Sequence, residues 1–211
     1  MHLNIIRENG QLKLENLHCG CAYDHDMPDM KIFIYSGLLG DCANLVKQNM
    51  TGSNVLVVCD EITHEVAAKQ IIDNLQSQGY NCTLCMFAGE PVEPSPEREA
   101  QVAAMIESDT DFLLSVGSGV VTDVTRHAAF MAEKPFAVFG TAASMDGYTS
   151  ITSSMMENGM KITKYGKSAD ILMFDPTVLA TAPPIMQAAG IGDVLAKYNV
   201  LVDWKLGSIV S

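Results

Sequence analysis

The sequence predicts an α/β fold: a Rossmann-like parallel sheet with helices on both faces, a small β extension, and the first helix or two of an all-α domain that the chain does not complete. Three observations predict it. Short apolar runs of strand type alternate with stretches of helical periodicity through most of the chain. The clearest runs, such as Val55–Cys59 before Asp60, are apolar throughout, as strands covered on both faces must be. A glycine-bearing turn also joins one of these runs directly to a helical stretch, Val116-Gly-Ser-Gly-Val-Val-Thr-Asp123.

Taken in order, Ile32–Tyr35 reads as a first strand, followed by a turn at Gly37 and Gly40 and a helix over Asp41–Gln48 with Leu45 and Val46 inward. Asn54–Asp60 is a second strand, and Glu65–Ser77 a helix with Val66, Ile71, Ile72 and Leu75 at helical spacing. Asn81–Phe87 is a third strand, and the Pro-rich stretch Pro91–Pro96 a loop before a helix over Glu97–Glu107. Phe112–Val116 is a fourth strand, Val121–Met131 a helix, and Phe136–Phe139 a fifth strand. The segment to Ser154 is then rich in Ser, Thr, Gly and Met, and Met160–Lys164 with Ile171–Phe174 form two further short strands, the β extension. From Pro183-Pro184 a helix begins, is interrupted at Gly190-Ile-Gly192, and resumes over Asp193–Leu206.

Composition narrows the function. The 211 residues are 48% apolar, enough for a substantial core, and no apolar run approaches the roughly 20 residues of a membrane span. Arg7 and Glu8 interrupt the N-terminus where an export signal needs an unbroken apolar stretch, so a cytoplasmic protein with reduced cysteines is expected. A net charge of −12 argues against nucleic-acid binding.

A glycine turn between strand and helix is common, and position 122 is Thr where the GxGxxG fingerprint needs a third glycine. Taken alone, the motif reads at least as well as a plain tight turn. Phe139-Gly-Thr-Ala-Ala-Ser-Met-Asp-Gly-Tyr-Thr-Ser150 follows the next strand and would lie at the same carboxyl edge of the sheet, where ligands of parallel α/β folds collect. Asp193 by itself reads as a helix N-cap after Gly190-Ile-Gly192. Cys19-Gly-Cys21 between His18 and His25 has metal-ligating residue types, but the spacing is tighter than structural zinc sites use, and a surface turn is expected. Cys82 and Cys85 lie within an apolar strand and read as buried thiols, the 13 methionines as core filler, and His64 and His127 as surface or lightly packed residues.

GSGVVTD, TAASMDGYTS and AAGIGDVLAKY, in that order, resemble the glycerol-1-phosphate dehydrogenase branch of the superfamily of iron-containing alcohol dehydrogenases, glycerol dehydrogenases and dehydroquinate synthases. The resemblance runs over most of residues 30 to 206. It implies NAD or NADP as cofactor and, in the complete enzyme, a divalent metal such as zinc, nickel or iron. It places Gly117, Ser118, Gly119, Val120 and Val121 around the pyrophosphate and Asp60 near the adenosine ribose. Thr141, Ser144 and Ser150 fall on the nicotinamide side, Asp146 at the substrate hydroxyls, and Asp193 as a metal ligand, the last two being the catalytic pair.

The family's other metal ligands are histidines in a C-terminal helical domain, and no histidine follows His127. The expected division is therefore a nucleotide-binding α/β domain over 1–180 and the start of a truncated helical metal and substrate domain over 181–211. The implied reaction is reduction of dihydroxyacetone phosphate to glycerol 1-phosphate, this chain alone being inactive and its partners a small-molecule substrate and further copies of itself. A glycerol dehydrogenase-like polyol oxidoreductase and a non-catalytic dinucleotide-binding fragment are the alternatives.

Overall fold

The computed structural model describes residues 4–15, 29–89 and 92–210. The elements are β1 (Asn4–Glu8), β2 (Gln11–Glu15), β3 (Lys31–Ile34), α1 (Leu38–Asn49), β4 (Asn54–Asp60), α2 (Glu61–Thr63), which continues through a π turn at His64–Ala68 into α3 (Lys69–Ser77), and β5 (Asn81–Phe87). They continue with α4 (Pro96–Ala103), β6 (Phe112–Gly117), α5 (Gly119–Met131), β7 (Phe136–Gly140), β8 (Thr152–Glu157), β9 (Met160–Tyr165), β10 (Ile171–Phe174), α6 (Pro176–Leu179) and α7 (Pro184–Val210).

Eight strands form one sheet in the order β1-β2-β3-β10-β7-β6-β4-β5. The six from β3 to β5 are parallel, and the β1–β2 hairpin adds an antiparallel edge. Helices cover both faces of the parallel part. On one face Leu38, Cys42 and Val46 of α1 and Ile71 and Leu75 of α3 bury Val55, Val57, Leu114 and Phe139. On the other, Val102 of α4 and Val121, Val124 and Ala128 of α5 bury Leu56, Val58, Leu113 and Val138. Alternate residues of β4 therefore belong to different cores, which is why Val55–Cys59 are all apolar.

Both hairpins close on Asn-Gly. Asn9 and Gly10 have φ of 50° and 81°, and Asn158 and Gly159 52° and 74°, the left-handed pair of a two-residue turn whose twist matches the flanking strands. The β8–β9 hairpin stands outside the main sheet, packed on α5.

Several expectations are corrected. Ile171–Phe174 is no extension but an interior strand, paired with both β3 and β7. The hydroxyl-rich segment through Ser154 includes β8, and β1 and β2 were not expected at all. The helix expected over 97–107 ends at Ala103, and Met105 and Ile106 reach the core from the following turn. Gly190-Ile-Gly192 does not interrupt α7, which is continuous, so Asp193 is no N-cap but lies well inside a helix. His127 is buried, with Nδ1 2.7 Å from the Tyr165 carbonyl and Nε2 3.3 Å from Glu99, whereas His64 is lightly packed beside Glu65. Met50, Met155 and Met173 fill the core as expected, but Met131 and Met160 are exposed. Cys82 and Cys85 pack in different cores, on opposite faces of the sheet, and burial pushes both thiols up to about 11. His18, Cys19, Cys21 and His25 lie outside the described residues.

Candidate active site

The chain leaves β4 for α2 and α3 on one face of the sheet and leaves the neighbouring β6 for α5 on the other. Where adjacent parallel strands send their connections to opposite faces, a crevice opens at their carboxyl ends, and ligands of open α/β sheets bind there. Here it is a cavity of about 520 Å³ lined by Asp60, Glu61, Ile62, Gly89, Val92, Ser118 and Val120.

One wall of the crevice is the start of α5. Ser118 is the N-cap, but its side chain makes no cap hydrogen bond, and the first turn holds no acidic residue. The helical ladder begins with Thr122 N–H donating to the Ser118 carbonyl, so the amides of Gly119, Val120 and Val121 precede it as the orphan donors of a helix start. An uncompensated helix N-terminus with free amides suits an anion, above all a phosphate. Gly117 is required by packing: a Cβ there would come within 2.8 Å of the Val121 side chain, so strand and helix could not close this tightly. Across the crevice Asp60 caps α2, its Oδ1 accepting from Thr63 N–H at 2.6 Å while Thr63 Oγ1 accepts from Asp60 N–H at 3.0 Å.

A second cavity, about 480 Å³ and polar, is lined by Asp123, Asp146, Asp193, Lys161 and Lys197 together with the hydroxyls of Thr149, Ser150, Thr152, Ser154 and Thr163. Met145 connects the two regions, since it also lines this cavity and its sulfur lies where a Cβ on Gly119 would be 2.9 Å away. The loop after β7 is fixed from below. Thr141 N–H donates to the Gly117 carbonyl at 3.0 Å, and Tyr148 OH donates to the Ala142 carbonyl at 2.7 Å. Ser144 bonds the same phenol, whose pKa burial pushes up.

Arg126 holds the loop from α5. Its guanidinium is fully buried and donates to Asp123 Oδ1 at 2.8 Å and to the carbonyls of Gly147, Tyr148 and Thr152 at 2.8, 2.9 and 3.0 Å. Burial pushes the Asp123 carboxyl up to about 6, against the pull of Arg126 and the Ser154 amide. At the rim, Lys197 pairs with Asp146 at 2.5 Å and holds its carboxyl below the usual carboxylate range. Asp193, one turn before Lys197, accepts from Asp146 N–H at 2.8 Å. α7 can approach this closely because residue 190 is glycine: a Cβ there would overlap the Ala143 carbonyl oxygen.

Asp60, Ser118 and Val120 thus line the first cavity beside Gly117, Gly119 and Val121, and Asp146, Ser150 and Asp193 line the second. Thr141 is buried under the loop rather than presented to either cavity. Sequence reasoning missed Glu61, Asp123, Arg126, Lys161 and Lys197. Two signals were available: Asp123 stands four residues after Gly119, and Lys197 four after Asp193, the spacing that stacks residues on one helical face. Among the described residues no group of three His, Cys, Asp or Glu side chains is placed to hold a metal. Asp193 is turned to a backbone amide and Asp146 to a lysine, so these residues do not fit a three-ligand centre.

A family model described as iron-containing alcohol dehydrogenase matches residues 33–183. The chain is 34% identical over 170 residues to a glycerol-1-phosphate dehydrogenase [NAD(P)+] of Bacillus velezensis, covering 75% of this chain and 41% of that protein. It is 29% identical to the Methanosarcina barkeri protein of the same description, over 84% of this chain and 49% of the other. In structure it is similar to glycerol dehydrogenase from Schizosaccharomyces pombe, with a TM-score of 0.71 and 21% identity over 83% of this chain and 44% of that one. An iron-containing alcohol dehydrogenase gives a TM-score of 0.72 at 15% identity, over 83% and 53% of the two chains. The chain therefore spans less than half the length of these two curated relatives. No helix among the described residues is long and apolar enough to cross a membrane.

Proposed function

The chain belongs to the iron-containing alcohol dehydrogenase family, and from that membership we propose that it binds NAD(P) and takes part in the reduction of dihydroxyacetone phosphate to glycerol 1-phosphate. The observation that carries the reading is the pairing of an open α5 N-terminus, at the point where the connections diverge, with a polar cavity reached past Met145.

The amides of Gly119, Val120 and Val121 would hold the dinucleotide pyrophosphate and Asp60 would accept from the adenosine ribose, with Ser144 and Ser150 on the nicotinamide side. When bound, the reduced nicotinamide would supply the hydride for the carbonyl carbon of the substrate, with solvent supplying the proton for its oxygen. In this reading Asp146 orients the substrate hydroxyl. Lys161 and Lys197 share the cavity with Asp123, Asp146 and Asp193, and Lys197 is paired with Asp146, so the phosphate ester in this reading rests on the glycerol-1-phosphate dehydrogenase relatives. Asp193 belongs to the same site, and its assignment as a ligand of a divalent metal requires donors beyond those described.

The domain boundary near residue 180 belongs to this proposal. Its support is that α7 buries none of its residues, exposing Ile185, Leu195, Tyr198 and Trp204 for further polypeptide or another copy of the chain to cover. A cytoplasmic homo-oligomer is proposed with it, and Cys42, Cys59, Cys82 and Cys85, all free thiols, are in keeping with a reducing compartment.

Calorimetry with NADH tests the first step directly. Binding to the 211-residue chain is expected, and a folded protein without measurable affinity would overturn the reading. The second step is tested by following NADH oxidation with dihydroxyacetone phosphate or glycerone as acceptor, in a version of the protein extended to the length of its relatives. A preference for the unphosphorylated ketone would remove the phosphate assignment.

A further inference from the structure

We infer that Glu61 makes the crevice selective for NADH over NADPH, by setting a second carboxylate beside Asp60 at the end of the crevice that receives the adenosine ribose. The inference rests on the dinucleotide reading of this cavity. Asp60 and Glu61 are neighbours at the carboxyl end of β4, and both line the cavity whose other end is formed by Ser118 and Val120. Glu61 is not left to wander in solvent: its Oε2 accepts from Gly89 N–H, beyond the end of β5, at 3.1 Å, which ties the carboxylate across the rim.

A ribose 2′-hydroxyl is a donor that either carboxylate can accept. A 2′-phosphate is an acceptor carrying negative charge, and it meets two like charges at the rim of the crevice. An α-helix starting at this point could in principle attract that phosphate. Here, however, Asp60 Oδ1 occupies the amide of Thr63, and Glu61 stands in the first turn, so the positive end of the helix is already matched by acids.

The described lining holds no lysine, arginine or histidine to offset them. Arg98, in the helix after β5, comes up beside this rim at Ala88, but its guanidinium is already engaged. Its Nη2 donates to the Ala88 carbonyl, its Nη1 to Gln101 at 3.1 Å, and its guanidinium lies over the Phe87 ring at 5.3 Å. His64 is bonded to Glu65. The relatives' descriptions name NAD(P)+, so the preference is a property assigned to this chain through its own Glu61.

The test is fluorescence titration of the chain with NADH and with NADPH, at low and at high salt, beside Glu61→Gln. Glutamine keeps an acceptor for Gly89 N–H and removes the charge, so the fold and the rim contact persist. NADH is expected to bind at least tenfold more tightly than NADPH at low salt, with the ratio narrowing as salt screens the carboxylates. Glu61→Gln should shrink the ratio several-fold, chiefly by improving NADPH, with any loss of NADH affinity from the weaker acceptor at the ribose smaller than the NADPH gain. Equal affinities in the unmodified chain, or a ratio that Glu61→Gln leaves unchanged, would overturn the inference while leaving the dinucleotide reading intact. A folded chain that binds neither nucleotide would overturn both.

Discussion

Replacing Arg126 by methionine probes the device that holds the loop between β7 and β8. Methionine matches the aliphatic stem but removes a fully buried guanidinium with its donors to Asp123 and to the carbonyls of Gly147, Tyr148 and Thr152. Taking one partner from a buried ion pair costs about 3–5 kcal/mol, because the remaining charge stays buried without compensation. That is a large part of the roughly 5–15 kcal/mol that holds a domain folded. Urea unfolding at pH 7.5 should therefore show a loss of about 4 kcal/mol, with native secondary structure retained in the absence of denaturant.

The loss should also depend on pH, with a sign fixed by Asp123. Its carboxyl is raised in the folded protein from 3.8 to about 6, so the stability it contributes is complete below about pH 4 and is lost as pH rises through 6. Without the Arg126 cation the folded value climbs further, and the decline continues past pH 6, where the unmodified protein has levelled. The two stability curves should thus diverge above pH 6 and approach each other near pH 5. Asp123→Asn in the same background should abolish the divergence. Parallel curves from pH 5 to 8, or a loss below 1 kcal/mol at pH 7.5, would refute the account of Arg126 as counter-ion and clamp.

Gly119→Val should weaken NADH binding at least tenfold in calorimetry while sparing the fold, because only the mobile thioether of Met145 must move to admit the side chain and the phosphate approach is blocked. Gly190→Ala should lift α7 from the Ala143 carbonyl, and amide exchange at Asp146, now without its Asp193 acceptor, should quicken at least tenfold while β4 and β6 keep their protection. In the extended enzyme Asp146→Asn should lower kcat with NADH affinity unchanged, and a parallel fall in cofactor affinity would place Asp146 at the wrong ligand.

The sequence made some elements plain and hid others for physical reasons. β4, β6 and β7 were legible because a strand sandwiched between helices must be apolar on both sides, and Val55–Cys59 could be little else. β8 was hidden because Thr152-Ser-Ser154 has loop chemistry. Its strand geometry depends on pairing with β9 and on Arg126 from a distant helix. The Asn9-Gly10 and Asn158-Gly159 pairs were readable hairpin signals, and following them would have found β1, β2 and β8. Gly190 reads as a break in the sequence because glycine weakens helices, yet here it permits a contact that no local pattern announces. The wall of the crevice formed by β6, its glycine turn and the start of α5 was legible because strand, turn and helix are contiguous in sequence. The carboxylates and lysines of the polar cavity were less so, since β9, α5 and α7 are brought together only by the fold.

The place of β10 sets the order in which the molecule can be assembled. Among the parallel strands, β3 touches only β10, and β10 is the last of them in the chain. During synthesis, β4 to β7 can therefore form a four-stranded nucleus with α3, α4 and α5, while β3 and the hairpin before it have no ladder to join. Only when Ile171–Phe174 emerges and inserts beside β7 does the N-terminal edge acquire its neighbour, across about 140 residues of chain. That long-range closure is the slow step expected of this topology. Nascent chains halted before Ile171 should display the β1–β2–β3 edge to proteases and chaperones, although every residue of that edge has already been made.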